Sequence, residues 1–340
     1  MHLVFEQIID REIVHYADDE LCVSSLSNRV YIEGMQKNVV AMPQKGFQSL
    51  LATSRLARRA LRLDKCNVTK IGDDFVIIRQ GRVYHYNLRN KTLSPTLNLK
   101  NCRNVLHQSI AVVDKQVFFG EYGSNPARNE VPIYRSQDGG ESWEIIYCFP
   151  AGRIKHIHGC YWDPYEQKIW VFTGDFAGEN FILVADLEFK HVEWIGDGTQ
   201  AYRACNAFFE EDAVHWIMDS QLETSYHVRM TRHSRKIEKK DAFAGPVWYI
   251  KRLADGYYLA ATTQEIGPGV KDRYAHLMVS RDLESWEDIH LFEHDGLPKR
   301  YFKFGVIGFS DGEQSSQGFY IFAEAIKGLD GKAALCHLVE

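Results

Sequence analysis

Histidines two apart on an extended segment point to one face, so the run HIHGCYWDP aims His156 and His158 together and Ile157 away from them. Imidazoles titrate near neutrality, which suits them to proton transfer or to ligating an ion. With His107 the pair can hold a metal, but no acid accompanies it at a fixed spacing. Proton transfer or binding is therefore the favoured use, and no metal or other cofactor is expected. Carboxylates stand at Glu121, Asp175, Asp219 and Glu324, cations at Arg203 and Lys303, phenols at Tyr122 and Tyr202. Asn206, Trp248 and Tyr249 add an amide and two aromatic faces. Aromatic faces stack on sugar rings while charged groups fix hydroxyls or a carboxylate, so the set suits a carbohydrate. Three uses are open. Two carboxyl groups across a glycosidic bond hydrolyse it. A base beside a uronate whose carboxylate is neutralised by Arg203 eliminates across the ring. The same groups without proton transfer simply bind. His107, His158, Tyr202, Arg203, Glu121, Asp175 and Asp219 are the candidate catalytic groups. His156, Asn206, Trp248, Tyr249, Lys303, Tyr122 and Glu324 are the candidate binding groups. His215, His227 and His276 fall inside strands and read as structural, and Trp162, Trp170 and Trp216 read as packing.

Residues so scattered need a scaffold that returns repeatedly to one face, and the chain has one. The clearest copy runs from 156 to 198 as HIHGCYWDP, KIWVFTGD, NFILVAD and HVEWIGDG, four short strands bounded by turn residues. Similar units span 106–150, 202–245 and 247–295, with further copies at 66–99 and, more weakly, 11–43. The last, 304–340, has three strands, and LVFEQII at 3–9 can supply the fourth. Such repetition at roughly 49 residues predicts an all-β chain, a single β-propeller domain over 1–340 with seven four-stranded blades, six being the alternative count. Residues 45–63 break the rhythm and read as a helical insertion or an irregular outer strand. In such blades first-strand starts and second-strand ends share the mouth of the channel. The first set adds Gln108 and Tyr301 to the candidates, the second Thr262, Thr263 and Glu265.

Ser136-Gln-Asp138-Gly-Gly140-Glu-Ser-Trp143 matches S-x-D-x-G-x-x-W, and through it the chain resembles sialidase-like β-propellers with BNR/Asp-box repeats. A degenerate copy, one residue shorter, runs from Ser280 through Asp282 to Trp286. In that family the box is a hairpin turn between third and fourth strands. The resemblance thus implies structural roles: Ser136 and Asp138 satisfy turn amides, Gly140 takes a conformation closed to other residues, and Trp143 packs beneath. The stretch 156–325 also looks like Asp-box propellers associated with bacterial polysaccharide genes. The Arg-Ile-Pro signature of true sialidases is absent, and the three arginines that grip the sialic carboxylate in that family are not placed in this chain. The resemblance implies a carbohydrate-active enzyme, a glycoside hydrolase before a lyase, with Tyr122 or Tyr202 as the nucleophile if the sialidase chemistry is kept.

Composition narrows the partners. Lys and Arg number 40 against 45 Asp and Glu, a formal charge of −5 with no basic block, which speaks against nucleic acid and leaves an acidic carbohydrate as the expected partner. No apolar run approaches a membrane span. The start, MHLVFEQIIDREIV, has neither the basic residues nor the long apolar run of a secretory leader, so a cytoplasmic location is expected. Seven cysteines without a CxxC pair read as buried free thiols. Nothing in the sequence sets an oligomeric state.

Overall fold

The computed structural model describes residues 1–44, 46, 51–63 and 65–340. Runs of β-branched and aromatic residues cut short by Gly, Asp and Asn give short strands joined by tight turns. The chain opens with β1 (His2–Ile9), and a first blade follows in β2 (Ile13–Ala17), β3 (Cys22–Leu26), β4 (Arg29–Glu33) and β5 (Lys37–Ala41). The second blade is β6 (Asn67–Ile71), β7 (Asp74–Arg79), β8 (Arg82–Asn87) and β9 (Thr92–Asn98). The third is β10 (Ala111–Val113), β11 (Gln116–Gly120), β12 (Val131–Ser136) and β13 (Glu144–Phe149). The fourth is β14 (His156–Asp163), β15 (Lys168–Gly174), β16 (Asn180–Ala185) and β17 (Val192–Gly198). The fifth is β18 (Phe208–Phe209), β19 (Ala213–Ile217), β20 (Tyr226–Thr231) and β21 (Ile237–Ala242). The sixth is β22 (Val247–Arg252), β23 (Tyr258–Thr262), β24 (Ala275–Ser280) and β25 (Glu287–Phe292). The seventh takes β26 (Val306–Phe309), β27 (Phe319–Glu324) and β28 (Lys332–Val339), with β1 as its outer strand. These seven four-stranded antiparallel sheets are the blades of a seven-bladed β-propeller, which decides the blade count left open above.

The chain divides into two compact units, one of Met1–Lys65 with Phe243–Glu340 and one of Cys66–Ala242. In the second unit Trp170, Trp216 and Phe172 are fully buried between the fourth and fifth blades, and Trp162 packs half-buried against the core shared by the third and fourth. His215 and His227 stack at 5.1 Å and share a hydrogen bond, so they are structural as expected. In the first unit Leu259, Leu277, Ile307 and Phe319 build the core, and His276 sits between Asp272 and Asp288, 2.9 Å from each. All seven cysteines are free, although Cys148 is exposed and Cys22 half-buried rather than buried. Among the described residues no helix is long and apolar enough to cross a membrane.

Part of the stretch that breaks the rhythm is α1 (Arg55–Leu61), capped by the Ser54 side chain; residues 45 and 47–50 lie outside the described set. Its arginines anchor it within the first unit. Arg58 grips Glu12 through two nitrogens, Arg55 meets Asp330, and Arg59 reaches Asp295 and the carbonyl of Phe302. The S-x-D turn lies between β12 and β13. Ser136 Oγ accepts from the Gly140 amide at 2.7 Å, and Asp138 accepts from the Ser142 amide at 2.9 Å. Gly140 has φ 99°, and a Cβ there would stand 2.3 Å from Val76. In the shorter copy, between β24 and β25, Leu283 takes the left-handed conformation instead, with φ 59°.

Strand β1 pairs antiparallel with β28 from His2↔Val339 to Ile9↔Ala333, with a bulge between Phe5 and Gln7. Leu3 is inserted into the core of the last two blades. Deleting residues 1–9 is expected to lower the melting temperature sharply by baring the β28 edge, and Leu3→Ala to cost about 2 kcal/mol in urea denaturation; unchanged melting of the truncated chain would refute the pairing. His15 offers a second test. Burial pushes its pKa from 6.5 down to about 3, so the fold favours the neutral ring. The stability this gives is complete above pH 6.5 and is lost as pH falls toward 3. His15→Gln should flatten that acid limb, by about 3 kcal/mol at pH 4.

Candidate functional site

The fourth blade places the two histidines by a defect in its ladder. His156 pairs with Gly174 and Ile157 with Thr173, but Gly159 is next, opposite Phe172, so His158 is the extra residue of a β-bulge. The bulge keeps both imidazoles on one side, with their Nε2 atoms 3.1 Å apart, while Ile157 stays in the apolar core. Close approach at the end of β15 requires glycine. A Cβ on Gly174 would stand 2.4 Å from Asn180 Oδ1 and 3.2 Å from His158 Cε1.

Asp175 follows Gly174 directly and meets both rings, its Oδ1 lying 3.3 Å from His156 Nε2 and 3.1 Å from His158 Nε2. An acid does accompany the pair, then, 17 residues beyond His158 at the far end of the hairpin whose two strands the repeat predicts. His156 Nδ1 lies 2.7 Å from the Gly123 carbonyl and His158 Nδ1 2.8 Å from that of Ala204. Carbonyls only accept, so each Nδ1 carries a proton and donates it. The Lys155 ammonium binds Asp175 Oδ2. Arg203 caps the 3-10 turn Gln200–Tyr202 and bridges two carboxylates, with Nη2 3.2 Å from Asp175 Oδ1 and 3.2 Å from Asp219 Oδ2. The Cys205 thiol donates to Asp219 Oδ2 at 3.3 Å, and burial, with Asp219 beside it, pushes that thiol well above its usual range.

Burial alone would raise the Asp175 pKa, but hydrogen bonds and charge from His156 and His158 outweigh it and hold the group far below the ordinary carboxylate range. For His156 the balance goes the other way. Burial lowers its pKa, and the Asp175 bond offsets this only in part. Tyr122 covers the pair, its ring 4.3 Å from that of His156 and 6.0 Å from that of His158. Beside Asp175 the Phe176 ring is 48% exposed, with Lys155 and Arg128 each 5.4 Å from its centre. Sequence reasoning passed over Lys155, Arg128, Phe176 and Cys205. For Lys155 a signal existed, since it immediately precedes the HIH run; for the others the contacts are tertiary.

Other expected site residues are placed differently. Glu121 is an anchor rather than a reactive acid: its carboxylate accepts from the amides of Lys100 and Asn101 at 2.9 and 3.0 Å and from the Tyr134 hydroxyl at 2.9 Å. Tyr202 is a packing residue, with its ring 6.4 Å from Trp216 and pressed against Gly196. Asn206 turns its carbonyl to the adjacent Ala207 amide. His107 is half-buried in the turn before β10, where Gln108 is left-handed with φ 60°.

In the first unit Tyr249 is 4% exposed within the core and has no face to offer a sugar, and Trp248 packs half-buried on Phe304. Glu324 Oε2 binds two ammonium groups, Lys303 at 2.7 Å and Lys65 at 2.6 Å. Burial lowers the Lys303 pKa to about 8, and although burial also pushes Glu324 up, the two lysines outweigh it and hold Glu324 well below its usual value. Thr262 accepts from the His276 amide, Thr263 donates to Glu265, and Tyr301 is exposed on the short helix α2 (Lys299–Phe302).

No family model matches the chain. No curated protein matches it either. Solved structures share its fold. An oligogalacturonate lyase from Vibrio parahaemolyticus superposes with a TM-score of 0.61 at 8% identity, over 100% of this chain and 98% of its own. YCF48 from Cyanidioschyzon merolae gives 0.59 at 12% identity, over 99% of each chain. The extracellular domain of a one-component system from B. thetaiotaomicron gives 0.57 at 11%, and the present chain, 98% covered, spans 40% of that one. At such identities the likeness is one of fold.

The anchoring role of Glu121 is open to direct measurement. Glu121→Ala leaves two amides and a hydroxyl without their acceptor and is expected to cost about 2–4 kcal/mol in urea denaturation. Stability equal to the parent chain would show that these bonds carry nothing.

Proposed function

We propose that the protein takes an acidic oligosaccharide at this end of the fourth blade and cleaves it by β-elimination. The observation that carries the proposal is the exposed Phe176 ring flanked by Lys155 and Arg128, directly beside the buried cluster of Asp175, His156 and Arg203. A pyranose stacks on the ring and its carboxylate meets the cations. Hydrolysis calls for a carboxylic acid kept protonated beside the scissile bond. The candidate acids here serve as acceptors: Asp175 toward Lys155 and Arg203, Asp219 toward Arg203 and the Cys205 thiol, Glu121 toward three donors.

Elimination needs a base instead, and the His156 ring is kept uncharged by burial. The proton beside the sugar carboxylate passes to that imidazole and the glycosidic C–O bond breaks. The Tyr122 phenol, its ring 4.3 Å from that of His156, returns a proton to the departing oxygen. Lys155 and Arg128, the cations that flank Phe176, offset the charge that develops on the carboxylate. The S-x-D-x-G-x-x-W turn supports kinship with sialidase-like propellers at the level of fold and bears on none of these steps.

Oligogalacturonate, named in one of the similarly folded enzymes, is the first substrate to test, followed by other uronate and sialic-type oligosaccharides. Elimination gives a new ultraviolet-absorbing double bond and fragments whose masses include no added water. Water in the products would replace elimination by hydrolysis, binding with unchanged mass would leave a glycan-binding protein, and no interaction with any acidic glycan would overturn the reading. Phe176→Ala should weaken binding tenfold or more, about 1.4 kcal/mol, at an unchanged melting temperature, because the ring is largely outside the core.

A further inference from the structure

We propose that His156, His158 and Asp175 bind a divalent transition-metal ion through the two Nε2 atoms and Oδ1. Each Nδ1 proton is committed to a backbone carbonyl, of Gly123 for His156 and of Ala204 for His158, so each Nε2 presents a lone pair. Those lone pairs converge with a carboxylate oxygen at separations of 3.1, 3.3 and 3.1 Å. The histidines are 3% and 1% exposed, so little water is at hand to come between them. With both rings neutral these are three acceptors, which repel unless a cation joins them, either as protons on the Nε2 atoms that make the rings donors to Asp175 or as a metal ion in their place. One proton bridges a single pair and leaves the third atom facing a lone pair, whereas one metal ion satisfies all three.

The spacing fits. Ligands at about 2.1 Å from an ion lie roughly 3.0 Å apart in an octahedron and about 3.4 Å apart in a tetrahedron. The backing of each imidazole by a carbonyl is the arrangement that orients a metal-bound histidine and makes it a better donor. Two imidazoles with one carboxylate suit zinc, manganese, iron, cobalt or nickel rather than the all-oxygen shells of calcium and magnesium.

A second grouping, His158 with Cys205 and Asp219, is the weaker choice. It needs His158 Nδ1, which donates its proton to the Ala204 carbonyl, and a thiol that donates to Asp219. Lys155 and Arg203 compete for the charge of Asp175 and so lower the affinity. They also balance Asp175 and Asp219, so that a bound ion brings its whole positive charge to the site. The ion takes the His156 Nε2 lone pair that the proposed elimination uses as its base, so the metal-bound and base-competent chains are alternative states and added metal should suppress elimination.

Metal binding is read without any sugar, so its outcome is independent of the proposed reaction. The full chain, stripped with a chelator and dialysed, is titrated with Co2+ by visible absorbance and with Zn2+ by calorimetry. One saturable ion per chain is expected, with Zn2+ displacing Co2+. His156→Gln, His158→Gln and Asp175→Asn should each weaken binding tenfold or more, and His276→Gln, which is not one of the proposed ligands, should not. Circular dichroism checks the fold of each variant; should His158→Gln fail to fold, Asp175→Asn decides. Absence of a saturable site, or full affinity retained in folded Asp175→Asn, would overturn the proposal.

Discussion

Burial of the middle strands on both faces, most complete in the fourth blade, is the constraint on which the site is built. In the fourth blade every residue of β16 is buried and all but the first of β15, while β17 alternates toward solvent. A strand covered on both sides has no room for unpaired charge. Chemistry is thereby expelled to strand ends and turns, which is where His156, Asp175 and Arg203 lie. His215 and His227 enter the interior as a hydrogen-bonded pair.

At the strand ends the same rule operates on a smaller scale. Asp175 is a mostly buried carboxylate stabilised by an ammonium, a guanidinium and two imidazoles, and it orders those groups in turn. Its neighbours are fixed through backbone carbonyls, so the rings cannot rotate away without breaking those bonds. The result is a preorganised set of donors and acceptors rather than a flexible polar surface. The first unit contains a counterpart in Lys303, Lys65 and Glu324, where two cations share one carboxylate oxygen and leave a positive excess. There the buried amine, not an imidazole, is the group whose proton is loosened.

The architecture was legible because it repeats. Each blade writes the same alternation of apolar strand and Gly or Asp turn, and the three-stranded final unit announced that LVFEQII must complete it, as the β1–β28 ladder does. The S-x-D turn was legible too, since its side chains bond to amides within five residues of themselves. Local geometry of this kind is encoded in local sequence.

The site was legible only in part. Strand periodicity aimed His156 and His158 to one side, and blade register put Asp175 at a strand end, whereas Arg203 caps the 3-10 turn before β18 rather than lying at the start of a strand. Blade register also named Glu121 and Tyr249, which sit at equivalent positions but are consumed by backbone amides and by core packing. Blade position, and so the set of residues that reach a strand end, follows from the sequence by itself, because it depends on a period. Which of them keep reactive atoms depends on contacts between segments far apart in the chain, such as the carbonyls of Gly123 and Ala204 that orient the two rings. Those contacts, and the bulge that brings His158 onto Asp175, exist only once the tertiary structure has closed around them, since no periodic signal marks a partner 33 or 46 residues away.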